Sequence, residues 1–347
     1  MLRNSRPMPH ALIAAIAACL LPVFSFAAQQ APPPANLPAA ATSPSQSAPE
    51  ARRTPPDAAT QEKNLGLATP ANPALPSLIL VGDSTVRNGH GRGDQNQWGW
   101  GHPLHDYFDP ARINVVNRAI GGLSSHTYIS QGHWANTLAL VKPGDFVLIQ
   151  FGHNDGGINL PGAAPVPDQG LPPGQTPPPP PSGARPRGPN TRGSLPGTGD
   201  ETIDVQDPFT HQTETVHTFG WYMRKYVDDV KAKGATPIIC SLVPRKIWVD
   251  GHIRRNTETY RGWAQQVANQ EHVGFVDLNE IIAERYDKLG PTAVDGLFGD
   301  PHTHTDMAGA ILNAESVVAG LKALPGHPLD KYLDAKGEAI ASYKPQS

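Results

Sequence analysis

Leu78-Ile79-Leu80-Val81-Gly82-Asp83-Ser84-Thr85 is an apolar run of strand length that stops at a glycine and then delivers one carboxylate and two hydroxyls. Consecutive apolar residues without alternation suit a strand buried on both faces, the habit of a parallel sheet. The pattern recurs along the chain. Ile113-Asn114-Val115-Val116-Asn117 runs into Arg118-Ala119-Ile120-Gly121-Gly122. Phe146 to Phe151, after the turn Lys142-Pro143-Gly144-Asp145, runs into Gly152-His153-Asn154-Asp155, and Pro237 to Leu242 and Gly274 to Asp277 follow. Helical spacing fills the intervals. Phe219, Tyr222, Met223, Tyr226, Val227 and Val230 form one stripe with Gly234 as its stop, Tyr260, Trp263, Ala264 and Val267 a second, Ile281, Ile282, Arg285 and Tyr286 a third, and residues 308–324 the last. Strand–helix alternation predicts βαβ units. The reading is α/β, a three-layer flavodoxin-like fold with a five-stranded parallel sheet.

The chain has 347 residues and a net charge of -3, which gives no reason to expect a nucleic-acid partner. Its 38 prolines concentrate in two segments that are not expected to pack. Residues 1–27 read as a secretory signal peptide: Arg3 and Arg6 precede an apolar run from Ala11 to Phe26, with Ser25-Phe26-Ala27 at the cleavage position. Ile16-Ala17-Ala18-Cys19 leaves open a lipoprotein anchor at Cys19. The expected destination is periplasmic or extracellular, with no stable membrane insertion once the signal is removed. Residues 28–74, rich in Ala, Pro, Ser and Thr, read as a flexible linker. The domain spans 75–325, with a Pro-rich insert at about 159–199 that reads as a surface excursion or a substrate lid, and 326–347 form a polar tail. Cys240 is the only cysteine beyond the signal, so neither a disulfide framework nor a thiolate metal site is expected. A monomer is expected.

Four blocks carry chemistry. Ser84 follows a strand, where a turn places backbone N–H groups around its hydroxyl. It reads as a nucleophile or as a helix N-cap. Gly121-Gly122 can turn one N–H into a cleft or simply turn the chain. Asn154 can donate its amide to a developing oxyanion or hold a loop as an Asx-turn. His304 precedes a helical run with Asp300 four residues before it, the pairing of a general base with the carboxylate that orients it. Asp300, His302 and His304 could alternatively ligate a metal. Trp98 and Trp100, in a Gly-rich stretch, suit either stacking on sugars or core packing. Arg87 and Arg245 could meet an acidic polysaccharide, although solvated surface charge is the commoner fate of arginine. Asp83 and Asp155 read as structural partners of their loops.

In this order, Gly82-Asp83-Ser84-Thr85, Trp98-Gly99-Trp100-Gly101, Asn117 to Ser124, Phe151 to Gly157, and His302-Thr303-His304-Thr305 with Ala308-Gly309-Ala310 resemble the SGNH (GDSL-like) hydrolase superfamily, and within it the rhamnogalacturonan acetylesterase branch. The resemblance covers about Leu78 to Leu324 outside the insert. It implies Ser84 as nucleophile, an oxyanion hole from the Ser84 and Gly122 backbone and the Asn154 side chain, His304 as base, Asp300 as its partner, and no metal cofactor. It also implies an acetylated cell-wall polysaccharide as substrate: rhamnogalacturonan or pectin, with xylan or an exopolysaccharide as alternatives. One departure stands out. The family pattern is Asp, two residues, His, whereas Asp300 precedes His304 by four and His302 by two. The Ala308-Gly309-Ala310 distance selects His304, with His302 as the substitute base or a substrate contact. A metallophosphoesterase and a non-catalytic polysaccharide-binding protein are the competing classes.

Overall fold

The computed structural model describes residues 57–156, 193–206 and 212–345. In chain order the elements are α1 (Ala58–Leu65), β1 (Ser77–Gly82), β2 (Asn114–Asn117), α2 (Ser125–Ser130), α3 (His133–Leu138), β3 (Phe146–Gln150), β4 (Thr202–Gln206), β5 (Thr213–His217), α4 (Phe219–Ala232), β6 (Thr236–Cys240), β7 (Trp248–Val249), β8 (His252–Ile253), α5 (Tyr260–Gln270), β9 (Gly274–Val276), α6 (Leu278–Leu289), α7 (Pro291–Asp295), α8 (Met307–Lys322) and α9 (Ala335–Ala339). β1, β2, β3, β6 and β9 form one parallel sheet in the order β2-β1-β3-β6-β9, the doubly wound arrangement expected from the sequence.

Strand pleating divides the core into two layers. Leu78 and Leu80 of β1 and Leu148 of β3 face one side, packing with Ile281 and Ile282 of α6 and Val317 and Leu321 of α8. Ile79 and Val81 with Val147 and Ile149 face the other, against Tyr226 and Val230 of α4 and Ala264 and Val267 of α5. Cys240 is fully buried on the first side, and burial pushes its thiol pKa up, so it behaves as a small apolar core residue.

The domain is larger than the boundaries read from the sequence. The signal peptide and most of the expected linker lie outside the described residues, but the linker's last part is folded. Asp57 caps α1 by accepting from the Thr60 N–H at 3.0 Å, and Glu62 brings a buried carboxylate to Arg118, to His133 Nδ1 at 3.0 Å and to Asn136 at 3.1 Å. The tail packs as well, with Leu329 and Leu333 in the core and Tyr343 N–H on Ala319 O at 2.9 Å. Most of the Pro-rich insert lies outside the described residues. Its end does not, and Ser194 N–H donates to Asp155 O at 3.1 Å. The hairpin β4–β5 then follows, with Ile203 and Val205 alternating with exposed polar residues along β4.

Candidate active site

β1, β2 and β3 lie side by side, so the loops at their carboxyl ends converge. Gly82 ends β1 where any side chain would collide, since a Cβ there would stand 2.6 Å from both Gln150 O and Val86 Cγ2. The chain then turns tightly, with Val86 and Arg87 N–H both on Asp83 O at 3.1 Å. Ser84 is held in this turn and not as a helix cap. After β2, Ile120 N–H donates to Gly82 O at 3.0 Å, which folds Gly121 onto the turn, its hypothetical Cβ 3.3 Å from Ser84 Cβ. Gly122 has φ +82 and open space where a side chain would be. After β3, Asn154 Nδ2 donates to Leu123 O at 3.0 Å, which ties its amide beside Gly122.

The fourth loop closes the arrangement. Gly299 N–H bonds His304 O at 2.9 Å, making a tight excursion that Asp300 fills. Asp300 Oδ1 accepts the N–H groups of His302, Thr303 and His304 at 2.9, 2.6 and 3.0 Å. Asp300 Oδ2 lies 2.5 Å from His304 Nδ1, and His304 Nε2 lies 2.8 Å from Ser84 Oγ. Two side chains 220 residues apart thus meet in one hydrogen-bonded line. The extra residue between Asp300 and His304 lets the loop present three N–H groups to a single oxygen. Burial pushes the Asp300 carboxyl up, but the His304 hydrogen bond and the loop N–H groups outweigh it and hold it well below the usual carboxylate range.

The surrounding charges are structural. Asp83 is fully buried and accepts from Thr85 N–H at 2.8 Å and Thr85 Oγ1 at 2.7 Å, and burial raises its pKa. Asp155 takes Ser125 N–H and Oγ–H, Gly152 N–H and Ser194 Oγ–H, and burial pushes it up to about 6. The His153 ring is buried, and burial followed by the nearby Arg245 holds it well below the usual histidine range. Arg245 donates to His153 O at 3.3 Å.

Several residues fall elsewhere than expected. Trp100 is no wall of an open cleft: it is 1% exposed, and its Nε1–H donates to Gln150 Oε1 at 2.8 Å. Trp98 is half-buried, its ring tilted on His102 at 4.5 Å. Arg87 is neither solvated nor available to a polyanion, because its guanidinium is buried and donates to the carbonyls of Leu65, Gly89 and His90. His302 Nδ1 turns to Thr303 Oγ1 at 2.6 Å and leaves Ser84 to His304. His304 has both ring nitrogens engaged, on Asp300 and on Ser84, and no three-residue metal cluster occurs among the described residues. Thr85 and Thr305 stood inside the quoted motifs without a role of their own, and Gln150, also beside the site, was given none.

A parallel α/β sheet with a hydroxyl, an imidazole and a carboxylate in line at its carboxyl edge, beside a glycine turn and an amide, defines a serine hydrolase architecture. Residues 80–310 match the model of the GDSL-like Lipase/Acylhydrolase family, and the chain belongs to that family. It is a carboxylic ester hydrolase. It is 28% identical over 241 residues to a rhamnogalacturonan acetylesterase of Emericella nidulans, a match covering 69% of this chain and 82% of that protein. It is also 28% identical over 258 residues to a probable rhamnogalacturonan acetylesterase of Bacillus subtilis, covering 73% of this chain and 94% of that one. Among solved structures it is similar to a Bacillus subtilis protein with TM-score 0.51 and 25% identity, over 72% of this chain and 56% of the other.

Proposed function

We propose that the protein removes O-acetyl groups from a cell-wall polysaccharide, with rhamnogalacturonan as the favoured substrate, and that it acts after export directed by residues 1–27. The observation that carries the reading is the unbroken line Ser84 Oγ–His304–Asp300 at the sheet's carboxyl edge. Ser84 attacks the acetyl carbonyl while His304 Nε2 takes its proton. Asp300 holds the imidazole with Nδ1 protonated and stabilises the imidazolium that forms. Negative charge on the former carbonyl oxygen is met by the Ser84 and Gly122 N–H groups and the Asn154 amide. His304 returns the proton to the departing sugar oxygen. Water, activated by the same imidazole, then releases acetate from the acetyl-serine.

Two relatives named for rhamnogalacturonan deacetylation support the choice of substrate. The test is acetate release from acetylated rhamnogalacturonan, xylan and a bacterial exopolysaccharide, each with the wild type and with Ser84→Ala. Release from rhamnogalacturonan well above the other two, lost in Ser84→Ala, is the expected result. Turnover of xylan or exopolysaccharide alone overturns the substrate. An active Ser84→Ala overturns the chemistry.

A further inference from the structure

The segment Trp98-Gly99-Trp100-Gly101 reaches both halves of the site. At one end Trp98 pairs with Thr305, the residue after His304: Trp98 N–H donates to Thr305 O at 2.8 Å, and Thr305 Oγ1–H returns to Trp98 O at 3.0 Å. At the other end Trp100 N–H donates to Thr85 O, the residue after Ser84, at 3.0 Å.

A side-chain line reinforces the second grip. Trp100 Nε1–H donates to Gln150 Oε1 at 2.8 Å, Gln150 Nε2–H to Thr85 Oγ1 at 2.7 Å, and Thr85 Oγ1–H to Asp83 Oδ1 at 2.7 Å. All four side chains are buried. The direction of every link follows from the first, because an indole N–H can only donate, so Gln150 must turn its oxygen to Trp100 and its amide hydrogens to Thr85. The glycines let this segment press on the Ser84 turn. A Cβ on Gly99 would stand 2.2 Å from the Val86 carbonyl carbon, and one on Gly101 would stand 2.4 Å from Asn117 Nδ2.

We propose that Trp98–Gly101 is a brace that sets the separation of Ser84 Oγ and His304 Nε2, and that Trp100 and Thr305 are positioning residues of the reaction and not sugar-stacking or merely structural groups. The proposal rests on Ser84 and His304 being the reacting pair. A nucleophile and base on different loops need such a tie, since a misplacement of about 1 Å can cost roughly 10²-fold in rate.

The test uses changes that remove single donors. Trp100→Phe deletes the indole N–H, Thr305→Val deletes the hydroxyl and Thr305→Ser keeps it. Each variant is measured for kcat and KM on a small aryl acetate, for the rate at which a fluorophosphonate labels Ser84, and for its thermal midpoint. Trp100→Phe and Thr305→Val should lower kcat and labelling roughly 10- to 100-fold with KM on the small ester nearly unchanged, and Thr305→Ser should retain the wild-type rate. Should Trp100→Phe not fold, the Thr305 pair decides. Unchanged kcat in the folded variants, or a loss confined to KM on polysaccharide, overturns the brace. Ser84→Ala, run alongside, separates the two failures: activity there overturns the reacting pair itself, whereas an inactive Ser84→Ala beside unaffected Trp100→Phe and Thr305→Val overturns the brace alone.

Discussion

Asp300 divides its work between its oxygens, Oδ2 on the imidazole and Oδ1 on three loop N–H groups. Asp300→Asn should therefore keep the loop while presenting an amide N–H to His304 Nδ1, which forces the tautomer that cannot take the serine proton. A fall of about 10⁴ in kcat with a folded protein is expected, measured on an aryl acetate together with thermal unfolding. A rate near wild type would show that Asp300 does not orient His304. In the proposed mechanism Asn154 contributes differently, its amide meeting charge that exists only in the transition state. Asn154→Ala should cost about 10²–10³ in kcat with little change in KM, and a change in KM alone would argue against that donor. Because Asp300 is held well below the usual carboxylate range, it stays ionised through mild acid. The stability it lends is present above the unfolded-state pKa and is lost as pH falls through its own lowered value.

Between elements, two buried carboxylates act in opposite ways. Glu62 fastens α1 to the sheet through Arg118 and His133, and Arg118 is 4% exposed. Burial raises the Glu62 pKa, but the His133 hydrogen bond and the Arg118 charge outweigh it and lower it overall. Glu62→Ala leaves the Arg118 guanidinium buried without its anion and should cost about 3–5 kcal/mol, read from urea unfolding; a loss below about 1 kcal/mol would mean that α1 is loosely attached. Asp155 ties the start of α2, the end of β3 and the returning insert at Ser194. Its folded pKa of about 6 lies above the unfolded carboxylate value, so the folded state holds its proton longer. Stability from this group is therefore greatest below the unfolded pKa and declines as pH rises toward 6. The stability difference between wild type and Asp155→Asn should shrink between pH 4 and pH 6, and a difference that grows over that range would reverse the assignment.

Over the whole molecule, what the sequence made legible was what repeats or what stands at a strand end. Continuous apolar runs identified all five parallel strands, and the loops that follow three of them carry Ser84, Gly122 and Asn154. α1, the β4–β5 hairpin and the packed tail escaped, since Ala58–Leu65 is polar over most of its length and is held by one buried ion cluster and not by an apolar stripe. Arg87 was misplaced and Trp100 left undecided for a related reason: an aromatic beside glycines and an arginine shortly after Ser84 look the same in sequence whether solvent or a carbonyl receives them, and only the fold supplies Gln150 and Leu65. The account stands on acyl transfer at a single hydroxyl. The most direct measurement is peptide mapping by mass spectrometry after fluorophosphonate treatment, with residual esterase activity followed in the same sample. One adduct on Ser84, activity falling in proportion to it, and no adduct in His304→Ala are predicted. Esterase activity that survives complete modification of Ser84 would contradict the account.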